Sequence, residues 1–257
     1  MLKIVAVMVL FYCGVMCVQA QVYSFELHDK NSSIQAPSSR SIELSNDVKF
    51  KGKPSIRFEL QRFDTAVANG KRAEIMFRPE KSLPVDRWYV FSIWLPKDYA
   101  VDSLPEIVAQ WHAVPDFSLG ETWRSPPIAL TIQNGMWLLV TRWASEAVNS
   151  NNTLSGLETV CLGNAVDMRW TDWVFHIKFN YKNTGILEVW RDGVKCYYRR
   201  GPNYYNDQTG PFFKFGIYKW DWNNNQIQTS IDKRVLYFGG VKLGESNMKI
   251  GDFLKEK

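Results

Sequence analysis

Three short stretches of the 257-residue sequence carry reactive side chains at alternate positions, the spacing that aims them at one face of a β-strand. In Gln110-Trp111-His112 the amide and the imidazole project together while Trp111 points the other way. Histidine is scarce, with three in the chain, and an imidazole beside an amide can accept a proton next to a group that binds a carboxylate. The same pair also fits a hydrogen-bonded structural histidine. Between Phe212 and Trp220, the residues Lys214, Gly216, Tyr218 and Trp220 share the face opposite Phe213, Phe215 and Ile217. A cation, a gap without a side chain, a phenol and an indole make a floor for a sugar ring bearing a carboxylate, or else a solvated strand face. In the third stretch Arg72 and Glu74 lie opposite Ala73, Ile75 and Phe77. Arg72 can grip a carboxylate through two parallel hydrogen bonds with Glu74 orienting it, or the two can form a plain cross-strand ion pair.

Strands must position these groups, because helical periodicity is nearly absent. Strand patterns recur at 55–60, 73–77, 88–95, 107–111, 128–132, 137–143 and 173–179. In the last of these Trp173, Phe175, Ile177 and Phe179 form one face while Asp172, His176 and Lys178 share the other. Asp192-Gly193 between two β-rich runs is a hairpin signal. Many strands without helices imply an all-β fold: a β-sandwich jelly roll, concanavalin-like, with a concave groove suited to a long polymer. Residues 144–168 break the rhythm with Asn149-Ser150-Asn151-Asn152-Thr153 and read as a long polar loop, either a wall over the groove or inert surface. With 46% hydrophobic residues and no repeat or linker, residues 21–257 read as one domain.

Residues 1–20 read as a secretory signal peptide, with Lys3, an apolar run from Ile4 to Val18 and a small-residue end at Ala20. A secreted or periplasmic location is therefore expected, with no membrane partner. Of the four cysteines, Cys161 and Cys196 remain after such cleavage, either paired or as two separate buried thiols, and neither has zinc-site spacing. The net charge of +5 favours an anionic partner without the clustered basicity of a nucleic-acid binder, and a monomer is expected.

The order of the three motifs resembles that of the jelly-roll polysaccharide lyases, especially the group of heparin lyase I and the glucuronan lyases, with the alginate lyases more distant. Arg72-Ala73-Glu74 is similar to the alginate lyases' Arg-x-Glu strand, Gln110-Trp111-His112 to their Gln-x-His, and Lys214-Phe215-Gly216-Ile217-Tyr218 to the family's Lys-x-Gly-x-Tyr. Lys219-Trp220 departs from the alginate lyases' Asn-Gln. The resemblance implies β-elimination at a 4-linked uronic acid in an anionic polysaccharide, glucuronan-like or alginate-like. His112 and Tyr218 would be the catalytic base and acid, or Tyr218 would serve as both where the C5 hydrogen and C4 oxygen share a side of the ring. Arg72 and Gln110 would neutralise the carboxylate, Lys214 would favour the phenolate, and Trp220 would bind substrate. No cofactor is required for such chemistry, and Asp29 and Asp232 are candidates for a structural calcium site. The competing readings are a non-catalytic carbohydrate-binding module and a lyase acting on a glycosaminoglycan such as heparin or heparan sulfate. Hydrolysis lacks its paired carboxylates on one strand.

Overall fold

The computed structural model describes residues 22–254, apart from 28, 166, 167 and 225. The expected signal segment lies outside the described residues. In chain order the strands are β1 (Val22–Ser24), β2 (Ser32–Gln35), β3 (Ile42–Phe50), β4 (Lys53–Gln61), β5 (Arg72–Phe77), β6 (Val85–Trp94), β7 (Glu106–His112) and β8 (Ile128–Gln133). They continue with β9 (Met136–Trp143), β10 (Gly156–Asn164), β11 (Trp170–Phe179), β12 (Ile186–Arg191), β13 (Val194–Arg200), β14 (Phe212–Tyr218) and β15 (Lys233–Glu245). One short helix, α1 (Ile250–Leu254), follows.

Two antiparallel sheets face each other in the expected jelly-roll sandwich. The back sheet runs β13-β12-β11-β6-β15-β4-β3, with β1 paired to β15, and the groove sheet runs β10-β9-β8-β7-β14-β5-β2. The alternation read from the sequence decides which side chains lie between them. Trp173, Phe175, Ile177 and Phe179 of β11 are fully buried, and Phe175 meets Trp111 of β7 at a ring distance of 4.6 Å. Trp111 also stacks on Phe213 of β14 at 5.3 Å. Truncating a buried ring of this size to alanine costs about 3–5 kcal/mol, so these aromatics fix which face of β7 and β14 looks outward. On the other face of β11, His176 binds Asp86 and Glu188, each at 2.9 Å. Asp192 and Gly193 both take positive φ, 53° and 83°, the turn that joins β12 to β13.

Three local expectations are corrected. Residues 144–168 are not a continuous loop, since they contain β10, paired to β9 at the edge of the groove sheet. Both of its faces mix polar and apolar residues, with Leu157 exposed beside Thr159 and Glu158 on the side of Val160 and Leu162, which hid the strand. Gly216 is not a gap left for a sugar ring: it takes φ +135°, and a Cβ there would meet the Ala73 carbonyl oxygen at 2.3 Å and the Phe58 ring at 2.8 Å. The backbone demands glycine, at a bulge where Phe215 faces Ala109 yet Tyr218 faces Ile107. Trp220 does not extend the strand either, because β14 ends at Tyr218 and Trp220 opens a short 3-10 turn. Lys219 between them is fully buried, its Nζ donating to Asp102 Oδ2 at 2.6 Å and to the Leu104 carbonyl at 3.1 Å.

The cysteines Cys161 and Cys196 are free and, contrary to the buried-thiol expectation, exposed, because each lies on an edge strand of a different sheet, β10 and β13. Among the described residues no helix is long and apolar enough to cross a membrane.

Candidate active site

Three adjacent strands of the groove sheet, β7, β14 and β5, come from distant parts of the chain, and their register aligns the three sequence motifs. His112 stands opposite Phe212, Gln110 opposite Lys214, and Lys214 in turn opposite Met76. Two rungs further Gly216 faces Glu74, and two further again Tyr218 faces Arg72. The outward side chains thus form a row with the imidazole at one end, the phenol at the other and the amide and charges between them. Arg72, Gln110, His112, Lys214, Tyr218 and Trp220 all line one groove of about 830 Å³.

Glu74 is the hub of this row. Its side chain is buried and accepts hydrogen bonds from Arg72 Nη1 at 3.0 Å and from Gln110 Nε2. Lys214 Nζ lies 3.7 Å from it and donates to Gln35 Oε1 at 2.8 Å. Arg72 and Glu74 therefore form an ion pair along one strand, not the cross-strand pair expected, and the contact holds the Arg72 guanidinium in place. Two cations against one carboxylate leave a single excess positive charge, enough to balance one incoming carboxylate. Gln110 is wholly buried and its Oε1 has no hydrogen-bond partner.

The end groups are in the charge states that proton transfer needs. Burial lowers the His112 imidazole to about 3, with Lys214, Arg72 and Arg124 adding repulsion and the Ala113 carbonyl acting the other way. His112 Nδ1 lies 2.8 Å from that carbonyl, which can only accept, so Nδ1 carries the proton and Nε2 the lone pair. The ring also stacks on Phe212 at 5.2 Å. Burial raises the Tyr218 phenol above its ordinary value, while the Arg72 guanidinium, 4.1 Å from the ring centroid, pulls the other way. The cation beside the phenol is thus Arg72, not Lys214 as the shared strand face suggested, because Lys214 is held two rungs back by Glu74 and Gln35. Trp220 sits 5.9 Å from the Tyr218 ring.

Comparisons place this geometry in a family. The family described as polysaccharide lyase matches residues 25–242. The chain belongs to the polysaccharide lyase family. Among solved structures the lyase is similar to the endo-β-1,4-glucuronan lyase of the fungus Trichoderma reesei, at 18% identity over 87% of this chain and 90% of that one, with a TM-score of 0.64. It is also similar to a family 7 alginate lyase, at 14% identity over 85% of this chain and 96% of that one, with a TM-score of 0.59. The binding domain of a botulinum neurotoxin in complex with SialylT shares the sandwich at 8% identity and a TM-score of 0.53, covering 91% of this chain and 45% of that one. The sandwich alone thus serves other functions, and family membership is what makes the lyase an enzyme. No curated protein matches the chain.

Several groove residues were not singled out by sequence spacing. Gln35 comes from the four-residue edge strand β2, too short to show a pattern. Trp123 and Arg124 come from the loop after β7, where no periodicity operates. Asp29 Oδ1 accepts from the Asn31 backbone N–H at 2.7 Å, and Asp232 Oδ1 lies 4.0 Å from Arg62.

Proposed function

We propose that the lyase cleaves an unsulfated, 4-linked uronic-acid polysaccharide of the glucuronan or alginate type by β-elimination, as a secreted enzyme. The observation that carries this reading is the row itself, in which a neutral imidazole and a protonated phenol flank a buried cluster with one excess positive charge.

The proton on C5 of a uronate is scarcely acidic, since its loss puts a second negative charge on the adjacent carboxylate. Arg72 and Gln110, with Lys214 behind them, meet that charge as it forms. His112 Nε2 takes the proton, and Tyr218 protonates the departing O4 as the C4–O4 bond breaks. The catalytic groups then stay close to neutral overall, because the imidazole becomes positive as the enediolate becomes more negative. Linkages with the C5 hydrogen and C4 oxygen on opposite sides suit a base and an acid held apart. Where the two share a side, Tyr218 can carry the proton both ways, with Arg72 offsetting the phenolate charge.

The cations of the groove favour a sparsely charged polymer. Arg124 is tied to Glu121 and Asp207, and Arg142 donates to the Pro126 carbonyl at 3.2 Å. Neither is held ready for sulfate groups. The glucuronan and alginate lyases of similar fold support the same substrate class.

Elimination leaves a C4–C5 double bond conjugated to the carboxylate, so the test is release of ultraviolet-absorbing ends from glucuronan, polymannuronate, polyguluronate and heparan sulfate. Tyr218→Phe is expected to keep polymer binding and to lose at least about a hundredfold in turnover. Saturated products, or near-normal turnover of Tyr218→Phe, would overturn the reading.

A further inference from the structure

The loop from Ala113 to Pro127 arches from the end of β7 to the start of β8, and it is clamped at one point. Glu121 and Arg124 are both buried and paired at 3.0 Å. Glu121 also accepts the backbone N–H groups of Asp116, at 2.8 Å, and of Asn149. Arg124 reaches on to Asp207 and lies 4.6 Å from the Tyr205 ring centroid. Among the described residues, Asp116, Glu121 and Asp207 are the group of carboxylates close enough to share a cation, and the Arg124 guanidinium already lies against two of them.

With Glu121 and Arg124 held inward, Trp123 is turned outward. It is 57% exposed, whereas Trp111, Trp137, Trp173 and Trp222 are fully buried. Its indole stands edge-on to His112 at 5.5 Å and to Phe212 at 6.3 Å, and it lines the groove. Phe117, itself 56% exposed, supports it from outside at 5.7 Å. A large aromatic surface held in water by a rigid anchor, beside the proposed base, has the properties of a preorganised contact. The C–H face of a pyranose ring is the apolar surface that the occupant of such a groove offers to an indole.

We propose that Trp123 is a stacking platform for the sugar unit next to the reacting uronate, on the His112 side of the groove. This rests on the polyuronate reading above. The platform adds affinity for chains long enough to reach it and takes no part in proton transfer.

The experiment compares Trp123→Ala, Trp123→Phe and the unaltered lyase on oligouronates of increasing length and on polymer. Loss of the indole is expected to raise KM for polymer about tenfold and to leave kcat within about twofold, with Trp123→Phe restoring most of the affinity. The fall in KM that accompanies the added sugar unit should vanish in Trp123→Ala alone. Unchanged KM, or a fall in kcat at constant KM, overturns the proposal, the latter making the indole a prop for His112. Thermal unfolding checks that the variants remain folded, because an exposed side chain contributes little to stability. Retention of the same polymers in affinity electrophoresis separates the two failures. If the unaltered lyase yields no unsaturated ends, the functional reading fails. The platform then stands on weakened retention by Trp123→Ala and falls if retention is unchanged or absent throughout.

Discussion

Replacing Glu74 by glutamine keeps the shape of the hub and removes its charge. Arg72 and Lys214, both buried, would then face each other with no carboxylate between them. Removing one partner from a buried ion pair costs about 3–5 kcal/mol. For a chain of this size each kcal/mol corresponds to about 2–4 °C, so the thermal midpoint should fall by roughly 6–20 °C. The kinetic effect has a distinct signature. The excess positive charge of the row rises from one to two, so an anionic polymer should bind as well or better and KM should hold or fall. Turnover should nevertheless drop about a hundredfold, because one of the two acceptor oxygens becomes an NH2 donor and Arg72 and Gln110 can no longer both be aimed at the developing enediolate. Adding Lys214→Met to Glu74→Gln should recover part of the stability, by removing one unpaired cation, and none of the turnover. The assay is initial-rate release of ultraviolet-absorbing ends, with thermal unfolding of the same samples. A Glu74→Gln protein that loses stability while kcat stays within about threefold would refute Glu74 as the group that positions the carboxylate-binding side chains.

Three further outcomes follow from charge states. A base must be neutral to act, and His112 is held at about 3 instead of the ordinary 6.5, so kcat/KM should show no acid limb near pH 6.5. An acid must be protonated, and Tyr218 is held above the ordinary phenol, so the alkaline limb should lie above pH 10.0; a rate that climbs steadily through the neutral range would instead assign the base to a Tyr218 phenolate. On the back sheet, burial works against a charge on His176, but its hydrogen bonds to Asp86 and Glu188 raise it above 6.5 overall. Its contribution to stability is fully present below pH 6.5 and is lost as pH rises through the raised value, so the difference in thermal midpoint between the lyase and His176→Gln should shrink on going alkaline.

Much of this was legible in the sequence because a strand has a period of two. Trp111 inward meant Gln110 and His112 outward, and Phe213, Phe215 and Ile217 inward meant Lys214 and Tyr218 outward. That rule works within a strand and stops at its edges. Which cation lies beside Tyr218 depends on how β5, β14 and β7 are registered, and a bulge at Gly216 shifts that register by a residue. Lys214 looked close to Tyr218 along the chain, whereas Arg72 is close across the sheet. Glu74 showed only one partner in the sequence, since Gln110 and Lys214 reach it from other strands. The clamp that turns Trp123 outward joins loops far apart in the chain, and no local pattern announces it. β10 escaped notice because this edge strand, with Leu157 outward and Glu158 inward, lacks the clean alternation of a central one.

The position of β14 in the groove sheet bears on when the protein can first work. It is inserted between β5 and β7, yet it is made about a hundred residues after β7. Until it emerges, the strands bearing Arg72 and His112 have no neighbour in common, and the imidazole and the phenol have no fixed relation. On the proposed roles of His112 and Tyr218, a chain still being synthesised, or cut short before residue 218, should therefore be inert towards polymer. Its arrival joins the two halves of the groove sheet and aligns the row in the same event, so activity towards polymer would double as a report that β14 has paired with both β5 and β7.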